Sequence, residues 1–258
     1  MSPLTVAVTG AAGGIGSALR TGLDPALFTL RLLDIVPTER RHPGEDVRTV
    51  DLRDLAATED ALAGVDAVVH LAARAHEASF DQIQDSNVRT TWSVYEAARR
   101  QGVRRVVFAS SIHVSGFYPW GETVAPGAPS RPDTFYALSK LWGEHLGSMY
   151  ADRYGLEVVN LRIIGFGAEP VAPGYLWGWL SHGDTVRLVT AALTAPVRSP
   201  LTCYGVSANT RSFFSTEGWD VLGYHPQDDA EAWAERWPGA EHPALQGGEF
   251  TDPDYVGD

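Results

Sequence analysis

A single cysteine, Cys203, stands in the 258 residues of this chain. One thiol cannot close an internal disulfide or build a cysteine-rich metal centre, so no cross-link and no metal site are expected, and a reducing, cytoplasmic setting is the natural one. No apolar run approaches the roughly 20 residues that a membrane-spanning helix needs. The N-terminus enters its first apolar stretch without a basic segment, so neither a signal peptide nor a membrane association is expected. Positive charge is scarce: 20 Lys and Arg stand against 32 Asp and Glu, a formal net charge of −12. A surface of that sign repels the phosphates of a nucleic-acid duplex and an anionic lipid face. Neither is an expected partner. Repeats, low-complexity blocks and linkers are absent too, while a hydrophobic share of 44% suffices for a sizeable core.

What the chain does have begins at Leu4. Leu4–Val8 reads as a short buried strand running into Thr9-Gly10-Ala11-Ala12-Gly13-Gly14-Ile15-Gly16, followed by Ala18, Leu19 and Leu23 at helical spacing. Strand, glycine turn and helix in that order form the setting of a dinucleotide fingerprint. Small residues let the backbone approach a pyrophosphate, and the N–H groups of the first helical turn point at it. A second strand, Thr29–Leu33, ends at Asp34, where such a fold places an acid against the adenosine ribose hydroxyls. Pro37–Glu45 is polar and irregular. Val47–Val50 precedes Asp51-Leu52 and a helix near Thr58–Ala63; Asp51 either reaches an adenine amino group or caps the next turn.

Further strands are expected at Ala67–Leu71, Val103–Ala109 and Leu156–Ile164, with Ala72-Ala73 leaving room for a cofactor after the first of them. Helices are expected at Asp81–Arg100, with an apolar stripe of Val88, Trp92, Tyr95 and Ala98, and at Ala137–Tyr150. The first of these helices carries Asn87, either as a surface residue or into a site. Six strands alternating with helices predict an α/β fold, a Rossmann-type doubly wound parallel sheet with ligands outside the carboxyl ends of the strands. Asp34, Asp51, Ala72 and Ser111 all fall at such ends. Beyond Gly165 the pattern weakens. It gives a helix at Asp184–Ala195, helical turns at Trp219–Leu222 and Ala230–Trp237, and a tail after Pro238 running irregularly over the surface. Trp177, Trp179, Trp219 and Trp233 are expected in a core or an interface. The expected organisation is a single domain, 1–258, with a dinucleotide-binding core over 1–164 and a small substrate-binding cap and tail over 165–258.

Tyr136-Ala-Leu-Ser-Lys140 places a phenol and an ammonium one helical turn apart on one face. A free tyrosine, with a pKa of about 10, is a poor base at neutral pH. A nearby ammonium and a nicotinamide cation stabilise the phenolate and bring it toward the working range. Ser111, at a strand end, is placed to hold a substrate hydroxyl or carbonyl while Tyr136 moves its proton. Hydride then passes between the substrate carbon and the cofactor.

Taken together, these residues resemble the extended short-chain dehydrogenase/reductases. The likeness is carried by Thr9 to Gly16, Asp34, Asp51-Leu52, His70-Leu-Ala-Ala73, Asn87-Val88, Ser110-Ser111 and Tyr136-x-x-x-Lys140. The resemblance implies NAD as cofactor and Ser111, Tyr136 and Lys140 as the catalytic group, with Lys140 also on the nicotinamide ribose. It implies cofactor contacts from Gly10, Ala12, Gly13, Gly14, Ile15, Gly16, Asp34, Asp51, Leu52, Leu71, Ala72, Ala73, Asn87, Tyr136, Lys140 and Ile163, and a homo-oligomer built on the two long helices.

Within that group the chain is most similar to uronate dehydrogenases, which oxidise the anomeric carbon of a sugar acid to a lactone. The similarity lies in Val107-Phe-Ala-Ser-Ser-Ile-His113, Gly116-Phe-Tyr-Pro119, Arg131-Pro-Asp133, Trp179-Leu-Ser-His-Gly-Asp184, Leu222-Gly-Tyr-His-Pro226 and Gln246-Gly-Gly248. The positions it implies for substrate are Ala75, Ser111, Ile112, His113, Gly165 and Gly174. Four of these depart from the pattern: Gly174 stands where an arginine for the sugar carboxylate is expected, and Ala75, Ile112 and Gly165 replace small polar residues. A non-uronate substrate (a neutral aldose, a sugar phosphate or a less polar alcohol) is therefore the alternative. Arg74 and His76 either supply a substitute cation or lie on the surface. Two other readings are a nucleotide-sugar epimerase or dehydratase, against which fewer than 100 residues after the sixth strand weigh, and a non-catalytic dinucleotide-binding protein, against which Tyr136 and Lys140 weigh.

Overall fold

A computed structural model describes residues 2–41, 44–239 and 241–256. Strand β1 (Leu4–Thr9) leads through the glycine turn into α1 (Gly14–Gly22) and β2 (Phe28–Asp34). β3 (Asp46–Thr49), α2 (Leu55–Leu62) and β4 (Ala67–His70) follow, then α3 (Phe80–Ile83), a π-helical turn over Gln84–Arg89, α4 (Thr90–Arg100) and β5 (Arg105–Ser111). After a 3₁₀ turn at Ile112–Ser115 come α5 (Phe135–Tyr154), β6 (Glu157–Ile163), β7 (Gly165–Phe166), α6 (Tyr175–Gly178) and β8 (Trp179–Leu180). α7 (His182–Thr194), β9 (Leu201–Gly205) and α8 (Trp219–Leu222) complete the regular elements.

Seven strands form one parallel sheet in the order β3-β2-β1-β4-β5-β6-β9, and β7 pairs with β8 in a small second sheet. β1, β4, β5 and β6 lie inside the sheet, which is why they read as continuous apolar runs rather than alternating ones. One face carries α1 and α7, whose Leu19, Leu23, Leu188 and Val189 pack on Val6, Val8, Val107 and Val159. The other carries α2, α4 and α5, with Leu62, Val94, Tyr95 and Tyr150 against Ala7, Val68, Val106 and Val158. Arg105, buried on β5, ties the layers together: its guanidinium donates to the Ala192 and Ala195 carbonyls at the end of α7 and pairs with Glu157. That geometry satisfies orphan carbonyls where the helix dipole is negative.

The structure departs from the sequence reading at several points. A seventh strand, β9, is present; Leu201–Gly205 has no alternation and is bounded by Pro200, so only its pairing with β6 makes it a strand. It and α7 bring residues beyond 164 into the main sheet layers. β5 starts two residues later and ends two residues later than the expected Val103–Ala109, so Ser110 and Ser111 are its last residues. The helix expected over Asp81–Arg100 is broken in register by its π turn, so Tyr95 and Ala98 are buried while Trp92 is 37% exposed. Ala230–Arg236 is a 3₁₀ turn. The tail does not wander. Gln246 is buried and donates to the Pro119 and Glu122 carbonyls, and Gly247 bonds Gly116. Within the irregular stretch Pro37–Glu45, residues 42 and 43 lie outside the described residues, as do 240, 257 and 258 of the tail. Among the described residues no helix is long and apolar enough to cross a membrane.

Candidate active site

At the carboxyl ends of β1, β2, β4, β5 and β6 lies a cavity of about 980 Å³, one end near Asp34 and Asp51 and the other near Ser111 and Tyr136. Its floor is the glycine turn. Gly10 sits at φ +68°, and a Cβ there would lie 2.8 Å from the Ala72 nitrogen. A Cβ on Gly16 would lie 2.7 Å from Ala11 Cα. Both positions therefore demand glycine. α1 starts with no side-chain cap and no acidic residue in its first turn, which leaves its N–H groups and positive end for an anion. Thr9 holds the opposing strand end in place, its Oγ1 accepting from the Leu71 and Ala72 N–H groups and bonding His70 Nδ1.

Asp34 takes the Ala12 N–H on one carboxylate oxygen at 2.8 Å and the Val36 N–H on the other at 3.0 Å. The acid is fixed at the cavity edge with lone pairs left over. Ala12 itself is exposed and serves through its backbone, outside the cavity wall. Asp51 and Leu52 line the wall, and Asp51 pairs with Arg53, which also reaches Asp85. Gly10, Gly13, Gly14, Ile15, Leu71, Ala72, Ala73 and Ile163 line the cavity as well. This cradle, with glycines where Cβ atoms would collide, an uncapped helix start and a ribose-side acid, fits a dinucleotide. Asn87 is not on the wall. The π turn buries it, and its amide brackets Arg74 at both N–H and carbonyl and donates to Ser139 Oγ. It holds the β4 loop against α5.

α5 sets the chemistry. Its first donors are all met: Phe135 and Tyr136 N–H by the buried Glu77 carboxylate at 3.2 and 2.8 Å, and Ala137 N–H by Thr134 Oγ1 at 3.1 Å. Glu77, 59 residues before Tyr136, went unnoticed in the sequence, where nothing marks it. Tyr136 and Lys140 face the cavity one turn apart, and Ser111 lines the same cavity close enough to favour the phenolate of Tyr136. Lys140 is the chain's only lysine, a signal that composition alone held. Its Nζ donates to the Ala109 carbonyl at 2.9 Å and lies 5.7 Å from the Tyr136 ring centroid. Burial brings the Lys140 ammonium down to about 8. Burial also pushes the Tyr136 phenol up to about 12, opposed by the Ser111 hydroxyl and assisted by the Asp133 carboxylate. Desolvation thus outweighs the ammonium, one of the two cations, with that of nicotinamide, expected to draw the phenol toward neutrality.

At the substrate end, His113 Nδ1 meets the fully buried Asp133 carboxylate at 2.7 Å, and Phe250 of the tail stacks on the imidazole at 3.9 Å between centroids. His113, Phe250, Glu249, Ala75, Ile164 and Tyr175 line this end. Tyr175 falls in the segment Val171–Trp179, whose Pro173, Tyr175 and Trp177 are expected from the sequence to make the pocket wall more apolar; the tail residues went unnoticed there, with only Gln246-Gly-Gly248 hinting at them. Three expected substrate positions are not on the wall. Ile112 is buried with Tyr204, Val206 and Phe214, because the 3₁₀ turn after β5 rolls it into that cluster. Gly165 lies behind the Tyr175 ring, and Gly174 caps α6 beside Trp120. Arg74 and His76 line the cavity with exposed side chains.

Comparison with known proteins agrees with this construction. Residues 6–168 match the NAD dependent epimerase/dehydratase family. A uronate dehydrogenase of Pseudomonas syringae pv. tomato is 40% identical over 261 residues, covering 97% of this chain and 94% of that protein. An L-arabinose 1-dehydrogenase (NAD(P)(+)) of Haloferax volcanii is 38% identical, covering 87% of this chain and 97% of its own. The crystal structure of a uronate dehydrogenase from Agrobacterium tumefaciens complexed with NAD superposes with a TM-score of 0.91 at 37% identity, over 98% of this chain and 99% of that one. With its glycine cradle, ribose-side acid and Tyr136–Lys140 pair in one cleft, the chain belongs to the NAD-dependent epimerase/dehydratase family.

Proposed function

We propose that the protein is a dehydrogenase that oxidises the anomeric hydroxyl of a sugar or sugar acid to a lactone. The observation that carries this reading is the meeting of Ser111, Tyr136 and Lys140 with the glycine cradle in one cavity. NAD bound in the cradle supplies the hydride acceptor. Ser111 Oγ holds the substrate hydroxyl, and Tyr136, on the same cavity, takes its proton. Lys140, buried beside Tyr136, stabilises the phenolate that accepts this proton and becomes the neutral phenol. Glu77 and Asn87 keep Tyr136 and the β4 loop in place. The product leaves as an uncharged ring at its oxidised carbon, needing no further proton from this site.

The uronate and arabinose dehydrogenases to which the chain is similar support this reaction class. The division into a cofactor core over 1–164 and a substrate cap over 165–258 belongs to the same proposal, as do Gly10 to Gly16, Asp34, Asp51 and Ile163 as cofactor contacts. A homo-oligomer is supported by Trp92, Phe135, Leu138 and Met149, which stand exposed along α4 and α5. A reducing compartment suits the unpaired, buried Cys203. The test is absorbance of reduced nicotinamide on adding aldoses and uronates to the enzyme with NAD. Tyr136→Phe should cut the rate by roughly 10²-fold or more while NAD binding stays within twofold. Near-normal turnover in that variant refutes the mechanism.

A further inference from the structure

Phe166 of β7 and Tyr175 of α6 line the cavity beside Ile163 and Ile164. α6 is pinned by Leu176, fully buried, and by Trp179 at its end, 2% exposed, both packed with Ala230. Its first turn is closed by Tyr175 N–H on Ala172 and Leu176 N–H on Pro173. That anchoring aims the Tyr175 ring back over β7, where a Cβ on Gly165 would lie 2.8 Å from its Cε1. Gly165 is therefore the vacancy that the ring fills, and the two residues act as a pair. The ring is half buried on the cavity wall, and its hydroxyl has no hydrogen-bond partner among the described residues. The stretch Ile163–Leu180 contains no lysine, arginine or histidine. Of the basic side chains elsewhere on the cavity, Arg53 is paired at the Asp51 end, Lys140 is held at Ala109, His113 is bound to Asp133, and Arg74 and His76 stand exposed on the loop after β4 rather than on this wall. The tail adds a carboxylate, Glu249, to this end.

Resting on the dehydrogenase reading above, we propose that Tyr175 is a specificity-determining residue that selects an uncharged sugar. Its ring covers the apolar C–H face of the pyranose, and its free hydroxyl bonds a neutral hydroxyl remote from the reacting carbon. A carboxylate at this wall meets aromatic surface and a like charge without a paired cation, an unfavourable burial.

Galacturonate, galactose and L-arabinose share their ring hydroxyls and differ only at C5, which carries a carboxylate, a hydroxymethyl group or hydrogen. With saturating NAD, kcat/KM for galactose or L-arabinose should exceed that for galacturonate by about tenfold or more, as expected when a buried charge lacks its partner. Tyr175→Phe should raise KM for the preferred neutral sugar by about three- to tenfold, the loss of one neutral hydrogen bond, with kcat within twofold. Gly165→Ala, which displaces the ring, should raise KM likewise, thermal melts showing that both variants fold. Preference for galacturonate, abolished by Arg74→Ala, overturns the inference and leaves the dehydrogenase reading standing. So does an unchanged KM in Tyr175→Phe. Failure of all three sugars, and of their gluco counterparts, to reduce NAD overturns both.

Discussion

Glu77→Ala offers a measure of how much of the site depends on one distant carboxylate. Glu77 is 8% exposed and accepts the Phe135 and Tyr136 N–H groups at 3.2 and 2.8 Å. Alanine leaves both donors without a protein acceptor in a closed setting. An abandoned buried donor costs about 1–3 kcal/mol. The longer of the two bonds belongs at the low end of that range, so the total expected is about 2–4 kcal/mol. For a chain of this size 1 kcal/mol moves Tm by about 2–4 °C, which predicts a fall of roughly 4–16 °C. Glu77→Gln retains one acceptor oxygen and should lose about half as much. Because Tyr136 is the residue whose own N–H is released, kcat should fall together with Tm in the alanine variant and recover largely in glutamine. Thermal unfolding followed by circular dichroism, beside NAD-reduction kinetics, measures both. An alanine variant that melts within 2 °C of the parent with unchanged kcat refutes the anchoring role. Equal losses in alanine and glutamine would mean that the negative charge at the helix start, rather than its hydrogen bonds, matters.

Asp34→Ala should raise kcat/KM with NADP relative to NAD by about tenfold or more, since a carboxylate at the ribose repels a 2′-phosphate; steady-state kinetics with both cofactors check it. As the only lysine, buried Lys140 should be the one side-chain amine modified by an acylating reagent, with a reactivity midpoint near pH 8 and protection by NAD, read by peptide mass mapping. His70 is buried and bonded to Thr9 and Thr91, and burial brings its imidazole from 6.5 down to about 3. Its folded form takes up a proton less readily than its unfolded form, so stability should fall as pH drops from 6.5 toward 3, at up to about 1.4 kcal/mol per pH unit. Denaturant titrations at a series of pH values should show that slope reduced in His70→Gln.

Contacts within one or two turns of chain were legible from residue order. The glycines between β1 and α1 are required by backbone approach, Asp34 by its place at a strand end, and Tyr136 and Lys140 share a face because 3.6 residues make a turn. Parallel strands covered on both faces announce themselves as apolar runs, which is why β1, β4, β5 and β6 were legible. Tertiary structure decided the rest. Glu77 reaches α5 across 58 residues, and Asn87 brackets Arg74 only because a π turn shifts its register. β9 exists through its pairing with β6, and Phe250 comes to His113 from the far end of the chain. Ile112 turns into the core while Tyr175 takes the space that Gly165 leaves. None of these has a periodicity or a local propensity behind it. Each depends on how the two helical layers, the cap and the tail close over the strand ends, a free-energy balance among distant surfaces to which no short stretch of sequence corresponds.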